Sequence, residues 1–143
     1  MSLYALSQRT TATAAASANW EIRSAATNKP RIMELGISQN AGTAGVYGLG
    51  RPAAIGITPT SPQNFVAEND AGAPTSLSTA AVAWGTGPTV PANFNRRISC
   101  AATVGVGVIW TFPRGLDIAA SNSIVVWILA TAPVNDQWCV IDE

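Results

Sequence analysis

Apolar and polar residues alternate with period two in short runs along the chain, and each run is closed by Gly, Pro or Asn. That spacing suits a strand with one buried face; a helix repeats its apolar positions about every 3.6 residues. In ANWEIRSA, Trp20 and Ile22 share one face and Glu21 and Arg23 the other. RIMELGISQ sets Met33, Leu35 and Ile37 inward, and NFNRRISCAA does the same with Phe94, Ile98 and Cys100, Arg96 being the exception. VGVGVIWTF lines up Val104, Val106, Val108, Trp110 and Phe112, with Gly105 and Gly107 opposite, where another backbone could approach closely. Turn-rich stretches at 40–45, 58–64, 69–76, 85–93 and 112–116 separate these runs. Short strands punctuated in this way predict an all-β antiparallel sandwich or barrel, one domain over residues 1–143. TATAAASA, residues 11–18, is the one plausible helix, and an extended arm or loop suits it equally.

Two runs depart from simple alternation. SIVVWILATA is apolar on both faces and β-branched, which predicts a central strand covered by the sandwich core on one side and by a neighbouring subunit on the other. Val125, Trp127 and Leu129 are therefore the subunit-interface candidates. DQWCVIDE predicts a last strand with Trp138 and Val140 on one face and Cys139 and Ile141 on the other. Cys100 and Cys139 do not amount to a disulfide framework and read as buried free thiols in two strands.

GLGRPA, at 48–53, imitates the glycine fingerprint of a dinucleotide site, with Glu68 and Asp70 at about the distance of a ribose-binding acid. Such a site needs a helix directly after the glycines, because the helix N-terminus holds the pyrophosphate. The continuation AAIGITPTSPQN carries Gly56, Pro59 and Pro62, which stop a helix of useful length. The stretch is better read as a strand with close backbone approach.

Catalytic groups are scarce. The chain has no histidine, which removes Ser-His-Asp and Cys-His catalysis and the usual ligands of zinc, iron and copper. Lys29, the only lysine, stands in a turn-like NKPR, where exposure is the plain reading. Glu68 and Asp70 lack calcium-loop spacing, and Asp136, Asp142 and Glu143 read as a hydrated rim. Four of the five tryptophans fall in strand runs and read as core or interface, while Trp84, just before GTGP, is the one expected at a surface. No enzyme, cofactor or metal is expected.

Charged residues make up only 11%, against about 25% in an average chain. A surface so poor in charge loses little hydration when covered, so burial against other subunits is expected. Eight basic residues balance eight acidic ones, so no net field steers the molecule to nucleic acid or anionic lipid, and Arg96-Arg97 reads as an ion-paired or solvated turn. The most apolar run, Ile124 to Ala130, is far short of the ~20 residues of a spanning helix. MSLYALSQRT has no basic lead and too short an apolar segment for an export signal.

The succession MSLYALS, W-E-I-R, R-I-x-E-L-G, YGLGRP, a Pro-rich loop, AVAWGTGPTVPANFNRRI and GVIWTFPRGLDIAASNSIVVWILA, with a D-x-W-x-V-x-x-E ending, resembles small structural proteins of tailed bacteriophages over nearly the whole chain. The resemblance implies a capsid decoration, or cement, protein: a jelly-roll sandwich similar to the tumour-necrosis-factor fold. Such a protein is made in the bacterial cytoplasm and carried on the outer capsid surface of the virion as a homotrimer. It would bind the major capsid protein and bridge capsomers, and the family offers no catalytic residues to carry over. Residues 1–17 are then either an arm reaching to the capsid, with Leu3, Tyr4 and Arg9 as contacts, or the first strand of the sandwich. The alternative is a trimeric receptor- or glycan-binding module of a tail fibre, with Tyr47 and Trp84 at its ligand surface.

Overall fold

The structure is a computed structural model that describes residues 2–10 and 17–143. These residues form thirteen strands and, among them, no helix. In chain order the strands are β1 Leu3–Thr10, β2 Ser17–Arg23, β3 Arg31–Gln39, β4 Gly45–Gly50, β5 Ile57–Pro59, β6 Gln63–Asn64 and β7 Val66–Ala67. They continue as β8 Thr79–Ala81, β9 Trp84–Thr86, β10 Arg96–Cys100, β11 Gly107–Asp117, β12 Ser123–Ile128 and β13 Asn135–Asp142. A five-stranded sheet has the order β11-β3-β13-β1-β7, a six-stranded sheet the order β10-β4-β12-β2-β8-β6, and β5 and β9 form a separate ribbon. All pairings are antiparallel, so the fold is an all-β antiparallel sandwich. Its long strands pair in a nested way: β4 with β10, β3 with β11, β2 with β12 and β1 with β13.

The alternating residues meet between the sheets. Tyr4, Trp20, Ile22, Ile32, Leu35, Ile37, Tyr47, Leu49, Ile124, Val126, Ile128, Cys139 and Ile141 belong to one buried cluster. Both cysteines are free and buried. Burial pushes the Cys139 thiol well above its ordinary value, and burial likewise raises Cys100.

Three details depart from the expected pattern. Met33 is only half-buried, because it is the extra residue of a bulge in β3 opposite Val140 and Ile141, and Ile32 takes the core position. Phe94 lies outside β10 and packs on the opposite surface of its sheet, against Val125 and Trp127. β11 starts at Gly107, which leaves Val104 exposed. This edge strand is broken by an irregularity between Thr111 and Leu116 that holds Pro113 and Gly115, the latter at φ 71°. A proline has no amide to offer a ladder, so a bulged edge is where one fits, and the break blunts further pairing.

The N-terminal segment takes the strand reading. β1 pairs along its full length with β13, from Leu3 opposite Asp142 to Thr10 opposite Asn135, so residues 3–10 are not a free arm. Most of the helix-or-arm segment 11–18 falls on residues 11–16, outside the described residues; Ala18 is in β2.

Candidate interaction surface

The outward positions of the five-stranded sheet form one continuous face. Its register sets Ile109, Gly36, Trp138 and Ser7 in a row, and Glu34, Val140, Ala5 and Val66 in the next. Side chains alternate along a strand, so these project away from the core. Ile109 is 57% exposed and Val66 64%. The Trp138 indole lies across Gly36, where any Cβ would overlap the ring, and its Nε1 donates to Glu34 Oε1 at 3.0 Å. The glycine thus lets a large aromatic lie flat on the sheet. Two depressions of about 250 and 330 Å³ flank Trp138, one toward Ile109 and one toward Val66.

A bidentate ion pair borders the face. Arg9 Nε donates to Asp136 Oδ1 at 2.6 Å and Arg9 Nη2 to Oδ2 at 2.9 Å. The hydrogen bond from Arg9 holds the Asp136 carboxyl below its usual value, and its partner raises Arg9 in turn.

The residues singled out from the sequence fall in different places. Leu3 and Arg9 lie on this outer face, half-buried and exposed respectively. Tyr4 does not: it is 4% exposed, points into the core and donates its hydroxyl to Pro74 O at 2.9 Å, so it is corrected from contact to core residue. Tyr47 is also corrected; it sits fully buried beside Leu49, and burial pushes its phenol up to about 12.

Trp84 is half-buried rather than presented at a rim. Its Nε1 donates to Glu21 Oε2 at 2.6 Å, and its ring packs with Phe94 and Leu129 over Val125 and Trp127. Val125 and Trp127, expected under a neighbouring subunit, are therefore covered by their own chain, at 0% and 1% exposure; Leu129 is half-buried at the margin. The second apolar face of β12 is an intramolecular core.

Glu21 makes that cover possible. It lies on the outward side of β2 yet has no exposure. Its Oε1 accepts from Gly56 N at 3.0 Å and Ser123 Oγ at 2.7 Å, while Oε2 takes Trp84 Nε1 and Arg23 Nη1, the latter at 3.4 Å. A buried carboxylate is tolerated when its lone pairs are filled in this way. Its four donors come from β2, β12, β9 and the segment after β4, so one side chain clips the overlying chain to the sheet.

GLG of GLGRPA closes β4, and a Cβ on Gly48 would stand 2.9 Å from the Phe94 ring. Glu68 and Asp70 are exposed, and Asp70 Oδ1 accepts from Gly72 N at 2.9 Å within its own turn. Asp136 and Glu143 serve separate contacts: Glu143 accepts from Ser76 Oγ at 2.7 Å, Leu77 N at 2.7 Å and Ser78 Oγ at 2.8 Å. Among the described residues no three His, Cys, Asp or Glu side chains gather as a metal site would need.

No protein-family model, curated protein or solved structure matches the chain.

The outer face is defined by its own geometry. Sequence reasoning missed Ile109 and Val66 as exposed members of it, and Glu21 as a buried carboxylate on the other sheet. A usable signal was present: Gly36 stands between Glu34 and Ser38 on one face of an alternating strand run, and a glycine inside a strand marks a place where something can pack flat against the backbone.

Proposed function

We propose that this protein is a structural component of a bacteriophage virion that binds the outer capsid surface as a homotrimer and bridges capsomers, and that it is not an enzyme. The observation that carries the reading is the open patch of Ile109, Trp138, Val140, Ala5 and Val66, spread over two adjacent rows that also hold Ser7 and Glu34, on a charge-poor sandwich. An apolar sheet face bordered by one ion pair suits contact with another protein surface, and three copies on one assembly multiply a weak contact into a strong one. The nested pairing of the eight long strands supports the jelly-roll reading, since rolling up a long hairpin pairs first strand with last in this order. With Val125 and Trp127 covered internally, the subunit contact moves in this proposal to the open sheet, and capsid contact falls to Leu3 and Arg9 at its border.

The tail-fibre alternative has lost the residues named for it, since Tyr47 is buried and Trp84 is tied to Glu21. The test is co-sedimentation of the purified protein with undecorated capsids of its phage, with its solution mass measured by light scattering. The reading expects a trimer that sediments with capsids and raises their thermal resistance. A protein that ignores capsids overturns it.

A further inference from the structure

Two stretches with plain readings in the sequence, NKPR and GLGRP, meet in space. At one end of the sandwich the β2–β3 connection, the β11–β12 connection and the residue after β4 enclose an open cavity of about 540 Å³, within the range of roughly 300–1,000 Å³ that small-ligand sites occupy. Lys29, Arg31, Arg51, Asp117, Asn122 and Ile118 line it. Three of the eight basic residues of the chain therefore converge on one concavity.

Two of the three charges are not cancelled. Arg31 Nε lies 2.9 Å from Asp117 Oδ1, an ion pair that leaves the two together neutral. Lys29 and Arg51 have no ion-pair partner among the described residues. Two uncompensated cations in a concave place concentrate a positive potential there, although the chain as a whole carries none.

The frame around them is fixed. Ile118 N donates to Pro30 O at 2.9 Å, and Ser24 Oγ donates to Ala119 O at 2.6 Å, which ties the two connections together. Asn122 Oδ1 accepts from Ser123 N at 2.8 Å, an orientation that leaves its Nδ2 as a donor. Ile118, fully buried, packs beneath the cavity floor and anchors the β11–β12 connection.

We infer that this cavity binds a small ligand through an oxyanion group, phosphate or carboxylate. Arg51 offers the planar fork that such a group accepts in bidentate fashion, Lys29 a second charge and Asn122 a neutral donor. Asp117 sets a limit on how much negative charge is welcome.

Amide chemical shifts of the full chain, titrated at constant ionic strength with inorganic phosphate and separately with glucuronate, test the site. Saturable shifts confined to residues 29–31, 51 and 117–122 are expected with at least one probe. Saturation by phosphate alone points to a phosphate carrier, and by glucuronate alone to an acidic sugar. The double variant K29Q/R51Q changes only exposed side chains, so its spectrum should otherwise overlay, while its affinity falls about tenfold or more as two charges leave. D117N should tighten binding severalfold, because it removes a repelling carboxylate and frees Arg31. Absence of saturation up to about 10 mM, beyond ordinary weak small-ligand affinity, overturns the inference. Shifts spread equally over Arg96, Arg97 and Arg114, or a double variant that binds as the parent does, overturn it as well.

Discussion

The outer faces of the two sheets differ. On the six-stranded sheet the chain covers itself: the segment between β4 and β10 carries the β5–β9 ribbon, Trp84 and Phe94 across Val125 and Trp127. On the five-stranded sheet nothing of the described chain lies over Trp138, Ile109 and Val66, the last two 57% and 64% exposed. The first face is held by a buried carboxylate whose donors all come from the chain, while the second is bordered by an ion pair in water. Two outer faces that each carry a tryptophan thus differ in whether the chain covers them. The long connection after β4 falls on one of them and supplies the groups that seat it.

Removing the clip should have the largest effect on that contrast. Glu21→Ala leaves Gly56 N, Ser123 Oγ and Trp84 Nε1 without their acceptor, three donors in a dry place, and should cost about 3 kcal/mol in urea unfolding. Hydrogen exchange in residues 53–60 and 84–90 should speed up more than in β13. Equal acceleration everywhere would mean that the cover is not a separate unit seated by Glu21.

The open face predicts the reverse combination. Ile109→Asp places a charge on an exposed site, so monomer stability should move by no more than about 0.5 kcal/mol. The solution mass should nevertheless fall to that of one chain if the proposed subunit contact uses this face. An unchanged oligomer with Ile109→Asp would move the contact elsewhere.

The smallest effect belongs to the second tether of the long connection, Glu143 on the 76–78 turn. Burial alone would raise this carboxyl, but hydrogen bonds from Ser76, Leu77 N, Ser78 and Asn28 outweigh it and hold it below its ordinary value of 4.5. A depressed carboxyl adds stability above its unfolded value and loses it as pH falls through the folded one. Glu143→Gln should therefore cost a few tenths of a kcal/mol at pH 7, a partly exposed contact being screened, and nothing once both states are protonated. A difference that instead grows below pH 4.5 would show that the tether acts through something other than its charge.

The sequence by itself determined the class of fold and most of the core. Period-two runs can bury Trp20, Ile22, Leu35, Ile37, Cys139 and Ile141 only by putting them on one side of a sheet, and they lie there. Bulges escaped it, since an inserted residue such as Met33 follows from the pairing of two strands and not from either alone. The candidate face was legible in part: the alternation of DQWCVIDE put Trp138 and Val140 on one face and Cys139 and Ile141 on the other, but nothing local said which face meets the core or whether the other is covered. Only tertiary structure decided that Val125 and Trp127 are roofed by their own chain while Trp138 is not, and that Lys29, Arg31 and Arg51 share a cavity. The physical reason is range. Alternation is a property of neighbouring residues, whereas cover and charge convergence depend on where a long connection returns, which is set by side chains such as Glu21 that meet their partners only after the sheets have formed.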